Sequence, residues 1–152
     1  MTVRELILMR HAEAASAARD TEDFARPLTD AGRVSAARAA KLLAVGAPIE
    51  RVLFSPAART SETASIVART LSLERSTLQA VPKLYLATAH LIGAALARWQ
   101  GTARVILVVG HNPGVSELGG ELSPSHAGKM LQTAAYWRLP LDEAAWLALV
   151  TP

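Results

Sequence analysis

The sequence predicts an α/β fold, a three-layer sandwich in which helices cover both faces of a mostly parallel β-sheet. The main observation is that short apolar runs typical of buried strands alternate with amphipathic segments typical of helices. Proline and glycine residues end several of these segments. Parallel strands need crossovers that are almost always right-handed, and we expect these crossovers to cover both faces of the sheet.

The chain has 152 residues, which predicts a single domain spanning 1–152. Hydrophobic residues make up 51% of it, so a globular core is expected. The complete lack of cysteine excludes disulfides and cysteine-based zinc sites. We also find no segment resembling a secretory signal, so a cytoplasmic protein is expected.

The basic residues are dispersed along the chain. The net charge is +3, but arginine and lysine are scattered and do not form a cluster. A binding site for nucleic acid is therefore not predicted. No apolar run approaches the roughly 20 residues that a membrane span needs, so no membrane association is predicted either.

The strands are predicted from apolar runs that end in polar residues. They are expected at residues 3–9, 50–54, 77–81 and 104–109, with two antiparallel strands near 133–139 and 145–150. Residues 12–26 lack a clear period and are predicted to form a loop, with or without a helical turn. Residues 119–129 are rich in Gly, Ser and Pro and are also predicted to form a loop.

The helices are predicted from their apolar period at residues 30–45, 58–71 and 88–99. Thr29 is expected to cap the first of these helices, and Asn112 a short helix that begins with Pro113. Four residues of the first helix are expected to face the core: Ala31, Ser35, Ala39 and Leu42. Those of the third helix are Leu91, Ile92, Ala95 and Leu96.

Cationic or histidine side chains follow three of the predicted strands. Arg10 and His11 follow the first strand, Arg59 lies just beyond the second, and His111 follows the strand at 104–109. Ligands of open α/β sheets bind outside the carboxyl ends of the strands, so these side chains are expected to meet. Two histidines and two arginines without a carboxylate or cysteine suit an oxyanion better than a metal ion.

The residue types predict phosphoryl transfer. A neutral imidazole is a nucleophile near pH 7, so His11 is expected to accept the phosphoryl group and form a phosphohistidine intermediate. Arg10, Arg59 and His111 are expected to bind the phosphoryl oxygens. Arg26 is either a surface arginine or a further phosphate contact, and we include it in the predicted phosphate site. Ser55 is interpreted as the end of a strand.

Five motifs, taken in order, resemble the histidine phosphatase superfamily, the phosphoglycerate-mutase-like or RHG-motif enzymes. They are RHAEA (10–14), RPLTDAGR (26–33), SPAARTSETA (55–64), LYLATA (84–89) and GHNPG (110–114). Within this superfamily the chain looks most like the short SixA-type phosphohistidine phosphatases. The resemblance implies a phosphoglycerate-mutase-like fold, catalysis without a metal or other cofactor, His11 as phosphoryl acceptor, Arg10 and Arg59 as phosphate-binding arginines and His111 as the second histidine.

Two departures from the family pattern stand out. Ala12 replaces the usual glycine, and would be strained if the backbone there had a positive φ. Many members also have a glutamate as general acid after the third strand, where this chain has Leu84-Tyr85-Leu86-Ala87. Glu13 and Glu62 are the nearest candidates by motif position, and neither matches it.

A missing acid favours phosphohistidine as substrate, because imidazole leaves more readily than an alkoxide. The expected partner is therefore a phosphorylated protein such as a histidine phosphotransfer domain or carrier. Two alternatives remain. One is a small-molecule phosphomonoesterase or mutase of the same fold, and the other is a non-catalytic module that binds phosphate or a phosphoprotein.

Overall fold

A five-stranded sheet forms the centre of the molecule. The computed structural model describes residues 4–152, and its strands are β1 (Arg4–Arg10), β2 (Arg51–Phe54), β3 (Leu78–Ala80), β4 (Val105–Gly110) and β5 (Tyr136–Leu141). Each corresponds to a predicted strand. Val3, the predicted first residue of the first strand, lies outside the described residues.

The strand order is β3-β2-β4-β1-β5, and only β5 runs antiparallel to its neighbour. The predicted mostly parallel sheet is therefore confirmed. β1 and β4 are adjacent, and Arg10 pairs with Gly110 at their carboxyl ends. This register places His11 and His111, the next residue of each strand, side by side at one edge of the sheet.

Two helices, α1 (Asp30–Leu43) and α2 (Ala58–Thr70), cover one face of the sheet. The predicted cap is confirmed, because Thr29 Oγ1 accepts a hydrogen bond from the Gly32 amide. The predicted buried stripe of α1 is wrong except for Ala39: Ala31, Ser35 and Leu42 are exposed.

The residues of α1 that do face the core are mostly small: Gly32, Ala36, Ala39, Ala40 and Leu43. Small side chains let α1 pack closely against the sheet and α2, while the larger Val34 and Leu42 remain 51% and 62% exposed. The face of α1 that is buried is therefore determined more by the small volume of its side chains than by their hydrophobicity.

The opposite face is covered by α3 (Ala89–Trp99), α4 (Gly114–Leu122) and α5 (Glu143–Val150). Ile92, Ala95 and Leu96 of α3 are buried as predicted, whereas Leu91 is exposed. The strand predicted at 145–150 is wrong, because this segment is the helix α5. Asp142 begins the helix, and its side chain accepts a hydrogen bond from the Ala145 amide.

The loop predicted at 119–129 is also wrong in its first part, because residues 119–122 belong to α4. A Cβ on Gly119 would lie 2.4 Å from the Trp137 ring, so the glycine permits close packing of α4 on the sheet. The Asn112 cap is wrong as well. α4 begins after Pro113, and the Asn112 side chain instead binds Ser116 Oγ and the Leu131 carbonyl.

Within residues 4–152, no helix is both long enough and apolar enough to cross a membrane.

Candidate active site

His11 lies directly after β1 and is only 7% exposed. Its Nδ1 lies 2.7 Å from the Ala12 carbonyl oxygen. A carbonyl oxygen only accepts hydrogen bonds, so Nδ1 carries the proton and Nε2 of the neutral ring keeps its lone pair. Burial lowers the pKa of His11 to about 4, and the nearby positive charge of Arg59 contributes to this shift. The ring is therefore neutral, with an unprotonated Nε2, near pH 7.

The backbone after His11 is fixed by helix α2. The Ala12 amide donates to Thr63 Oγ1 at 3.1 Å, and the Thr63 hydroxyl donates to the Arg59 carbonyl at 2.7 Å. Among residues 4–152, the non-glycine residues with positive φ are Ser72, Leu86 and Ala134. Ala12 is not among them, so alanine at this position causes no such backbone strain.

His111 follows β4 and faces His11, with 5.5 Å between the ring centroids. Its Nε2 lies 2.8 Å from Ser55 Oγ, which also accepts a hydrogen bond from the Ala57 amide. Burial lowers the pKa of His111 to about 3, with a further contribution from the positive charge of Arg59. Ser55 Oγ accepts from the Ala57 amide and has one proton that it can donate to Nε2; with the bond in this direction, the neutral ring carries its proton on Nδ1.

Ser55 was interpreted from sequence only as the end of a strand, and the structure adds a contact to His111. The serine side chain is fully buried at the start of the segment between β2 and α2. The SPAAR sequence offered a signal for this contact, because a hydroxyl at the carboxyl end of a parallel strand lies near the residues that follow its neighbours.

Arg59 is the second residue of α2 and is 2% exposed. Arg10 ends β1, and its Nη1 donates to the Leu131 carbonyl at 3.3 Å. In the part of the chain that the structure describes, four buried side-chain nitrogens lack a hydrogen-bond partner. Three of them belong to this site: Arg10 Nε, Arg59 Nε and His111 Nδ1. Buried donors of this kind usually have a partner, so the site is suited to bind an acceptor with several oxygens.

A carboxylate lies at the site, contrary to the prediction that none does. Asp23 Oδ2 accepts from Arg59 Nη2 at 3.0 Å, and the Asp23 carbonyl accepts from Arg59 Nη1 at 2.8 Å. Glu13 and Glu62 instead bind structural partners in and before α1, among them Thr29 and Arg33. Asp23 was missed because it belongs to the predicted loop 12–26, and sequence alone does not determine where such a loop folds back.

Tyr85 completes the rim of the site. Its hydroxyl donates to Asp23 Oδ2. Its ring lies edge-on to His111, with 5.6 Å between the centroids, and edge-on to Phe24, with 5.1 Å. The hydrogen bond from Tyr85 is the main reason that the pKa of Asp23 falls to about 2, and the same bond raises the pKa of Tyr85. Tyr85 is therefore a neutral hydroxyl beside an ionised carboxylate.

Arg26 is held at the rim by Asp23. Its Nε and Nη2 both lie 3.0 Å from Asp23 Oδ1, and its Nη1 donates to the Ala15 carbonyl. The positive charge of Arg26 is close enough to contribute to the lowered pKa of His11 and of His111. Direct contact of Arg26 with a phosphate remains a prediction.

The structure thus brings together the four predicted residues Arg10, His11, Arg59 and His111, with Arg26 at the edge. The unprotonated Nε2 of His11 belongs to a ring that lies beside the His111 ring and feels the positive charges of Arg59, Arg10 and Arg26, an arrangement that suits attack on a tetrahedral oxyanion. No group of three or more His, Cys, Asp or Glu residues that could hold a metal ion occurs among the described residues.

Comparison with known proteins gives a consistent result. Residues 6–84 match the histidine phosphatase superfamily (branch 1). The chain is 36% identical over 147 residues to the phosphohistidine phosphatase SixA of Escherichia coli strain K12, covering 92% of this chain and 87% of that protein.

Solved structures share the fold. The protein histidine phosphatase SixA complexed with tungstate superimposes with a TM-score of 0.80 at 33% identity, over 93% of this chain and 90% of that chain. A SixA-type structure from Agrobacterium tumefaciens superimposes with a TM-score of 0.82 at 25% identity, over 92% and 93% of the two chains. The predicted three-layer α/β fold is therefore confirmed.

Proposed function

Because this chain belongs to the histidine phosphatase superfamily, we propose that it hydrolyses phosphohistidine on proteins through a phosphorylated His11 intermediate. His11 Nε2 attacks phosphorus, the bond to the substrate's leaving group breaks, and water then hydrolyses the phosphoenzyme. The hydrogen bond between Nδ1 and the Ala12 carbonyl supports this role, because it leaves the lone pair on Nε2.

The observation that carries the proposal is the set of unpaired buried donors next to His11. Arg10 Nε, Arg59 Nε and His111 Nδ1 have no protein partner, and the oxygens of a transferring phosphoryl group would supply one. Arg10 and Arg59 stabilise the negative charge on these oxygens. His111 contributes a neutral donor, and its low pKa limits the repulsion between its ring and the two arginines.

The substrate class rests on two further points. The E. coli relative is a phosphohistidine phosphatase, and the tungstate-bound relative is a protein histidine phosphatase. In this chain the rim residues Asp23 and Phe24 are exposed and Tyr85 is partly exposed, so a histidine displayed on another protein could reach the pocket. A phosphate-monoester substrate is less favoured, because the carboxylate at the rim is ionised and has no proton for an alkoxide.

The proposal is tested by incubating the protein with a carrier protein that bears ³²P-phosphohistidine. We expect a transient label on this protein that is stable in base and labile in acid, with release of inorganic phosphate. His11→Ala should abolish both label and turnover, while His90→Ala, which removes an exposed histidine of α3, should retain both.

Two outcomes contradict the proposal. If His11→Ala releases phosphate at the wild-type rate, His11 is not the nucleophile. If wild-type protein binds the phosphorylated carrier but never releases phosphate, the chain is a binding module and not an enzyme.

A further inference from the structure

The Tyr85 hydroxyl has only one proton, and the structure fixes where it points. That proton is donated to Asp23 Oδ2. Asp23 is in turn held by Arg59 and Arg26, through contacts of 3.0 Å to each guanidinium group. Because its proton is committed to Asp23, Tyr85 can offer a substrate only the lone pairs of its oxygen.

The Tyr85 side chain also borders the site on a side that is partly exposed to solvent. The ring packs edge-on to His111, and the hydroxyl is linked through Asp23 to Arg59, so the side chain borders the anion site. His11 and His111 are buried, whereas the Asp23 side chain is 45% exposed and Tyr85 is partly exposed. A leaving group attached to a protein that extends toward this exposed side would pass Tyr85.

The charge states support the same direction for the hydrogen bond. The bond from Tyr85 lowers the pKa of Asp23 to about 2, so near pH 7 the carboxylate is an acceptor and not an acid. The same bond raises the pKa of Tyr85, so the phenol keeps its proton. The charged and titratable groups around the pair are Arg26, Arg59 and His111, and none of them can accept the tyrosine proton while it is shared with Asp23.

We propose that Tyr85 is a specificity-determining residue whose oxygen accepts a hydrogen bond from the ring N–H of a leaving imidazole, with Asp23 as the positioning residue that directs the hydroxyl proton away from the substrate. The inference rests on the proposed function and deepens it. It assigns the preference for phosphohistidine over phosphate esters to a single hydroxyl.

The step requires no proton donor. The lone pair of His11 Nε2 forms the new bond to phosphorus, and the bond between phosphorus and the substrate ring nitrogen breaks with its electron pair on that nitrogen. The substrate reacts with its ring protonated, so the ring nitrogen not bonded to phosphorus carries a proton that is hydrogen-bonded to Tyr85, and loss of the phosphoryl group from this cationic ring releases a neutral imidazole. An alkyl ester has no ring N–H to donate to Tyr85, and its leaving alkoxide would receive no proton from the tyrosine.

The test compares two substrates, free phosphohistidine and p-nitrophenyl phosphate, in wild-type protein, Tyr85→Phe and Asp23→Asn. Tyr85→Phe keeps the ring contacts with His111 and Phe24 and removes only the hydroxyl. We expect kcat/KM for phosphohistidine to fall roughly tenfold, as for a lost hydrogen bond, and kcat/KM for p-nitrophenyl phosphate to change by less than about twofold. Tyr136→Phe is the matched control in β5, and Glu22→Gln is the control for Asp23→Asn.

Asp23→Asn, like Tyr85→Phe, should lower the ratio of kcat/KM for phosphohistidine to kcat/KM for p-nitrophenyl phosphate. The reason is that the Tyr85 hydroxyl proton is no longer directed away from the substrate. The double variant should lower the ratio no further than Tyr85→Phe alone, since Asp23 acts on the ratio through Tyr85. If Tyr85→Phe lowers kcat/KM equally for both substrates, or for neither of them, the proposal is wrong. If Asp23→Asn raises kcat/KM equally for both substrates, the carboxylate only competes with the phosphoryl group for the arginines, and its assigned role is wrong.

Labelling of His11, measured in parallel, separates this inference from the proposed function. If the variants still become labelled on His11 but the ratio of the two kcat/KM values is unchanged, only the role of Tyr85 is wrong. A wild-type protein that acquires no label overturns the proposed function, and the inference fails with it.

Discussion

Ser55 Oγ lies 2.8 Å from Nε2 of His111, and both side chains are buried. This contact joins the segment after β2 to the segment after β4, two neighbouring strands of the sheet. It also fixes which nitrogen of His111 is unpaired, since Nδ1 has no partner in the protein. The second histidine of the site is therefore oriented by a residue that does not itself need to touch the substrate.

Replacing Ser55 with alanine should impair catalysis more than folding. Without the hydroxyl, His111 Nε2 loses its partner and the ring is free to change tautomer. We expect kcat to fall roughly tenfold, in line with one lost hydrogen bond. Steady-state assays measure this, with Ser65→Ala on the exposed side of α2 as the control. Unchanged kcat in Ser55→Ala would show that the contact has no role in turnover.

Acid should destabilise the protein through its two buried histidines. Their folded pKa values, about 4 for His11 and about 3 for His111, lie below the ordinary value of 6.5. Between about pH 6.5 and 4 the unfolded chain binds more protons, so the free energy of unfolding decreases as the pH falls. At pH 5 the titration of His11 alone should lower the free energy of unfolding by an amount on the order of 2 kcal/mol, relative to neutral pH.

Urea unfolding at pH 7 and pH 5 measures this loss. His11→Asn should lose less stability between the two pH values than the wild type does, because one of the two groups no longer titrates. His90→Asn removes an exposed histidine and should behave like the wild type. Equal losses in all three proteins would mean that His11 does not titrate differently in the folded state.

Thr63→Val should weaken both the fold and the site. The valine has nearly the same shape but leaves the buried Ala12 amide without its acceptor. Loss of a partner for a buried amide destabilises a protein by about 1–3 kcal/mol, so the melting temperature should fall. Because Ala12 follows His11, kcat should fall as well. Thr70→Val, at the exposed end of α2, is the control, and a stable, fully active Thr63→Val would contradict the anchoring role.

Gly119→Ala distinguishes packing from helix propensity. Propensity alone would make alanine more stable than glycine in a helix by about 1 kcal/mol. The new Cβ, however, would lie 2.4 Å from the Trp137 ring, so we expect a net destabilisation of about 1–3 kcal/mol. Chemical denaturation measures the sign. Glu121→Ala, at an exposed position of α4, controls for a change elsewhere in the helix, and a stabilised Gly119→Ala would contradict the packing argument.

The features that followed from local sequence were predicted well. The buried run of β4 and the Thr29 cap depend on neighbouring residues alone. The meeting of His11 with His111 depends only on the rule that parallel strands end at one edge of a sheet. These features needed no knowledge of how the loops fold.

The errors concern features determined by distant parts of the chain. The buried face of α1 is set by its contacts with the sheet and α2, and α5 is set by the Asp142 cap and by packing of Trp146 on the core. Asp23 reaches Arg59 only because its loop folds back over the site. Short apolar runs do not distinguish strand from helix, and a loop without a period does not indicate its partners.

The pairing of Arg10 with Gly110 has a consequence for biosynthesis. The two histidines are a hundred residues apart in the chain (positions 11 and 111), and each follows one of two adjacent strands. A ribosome must therefore add a hundred residues after His11 before both halves of the site exist. Until then, the nascent chain contains His11 but cannot form the complete anion site, because His111 has not yet been added.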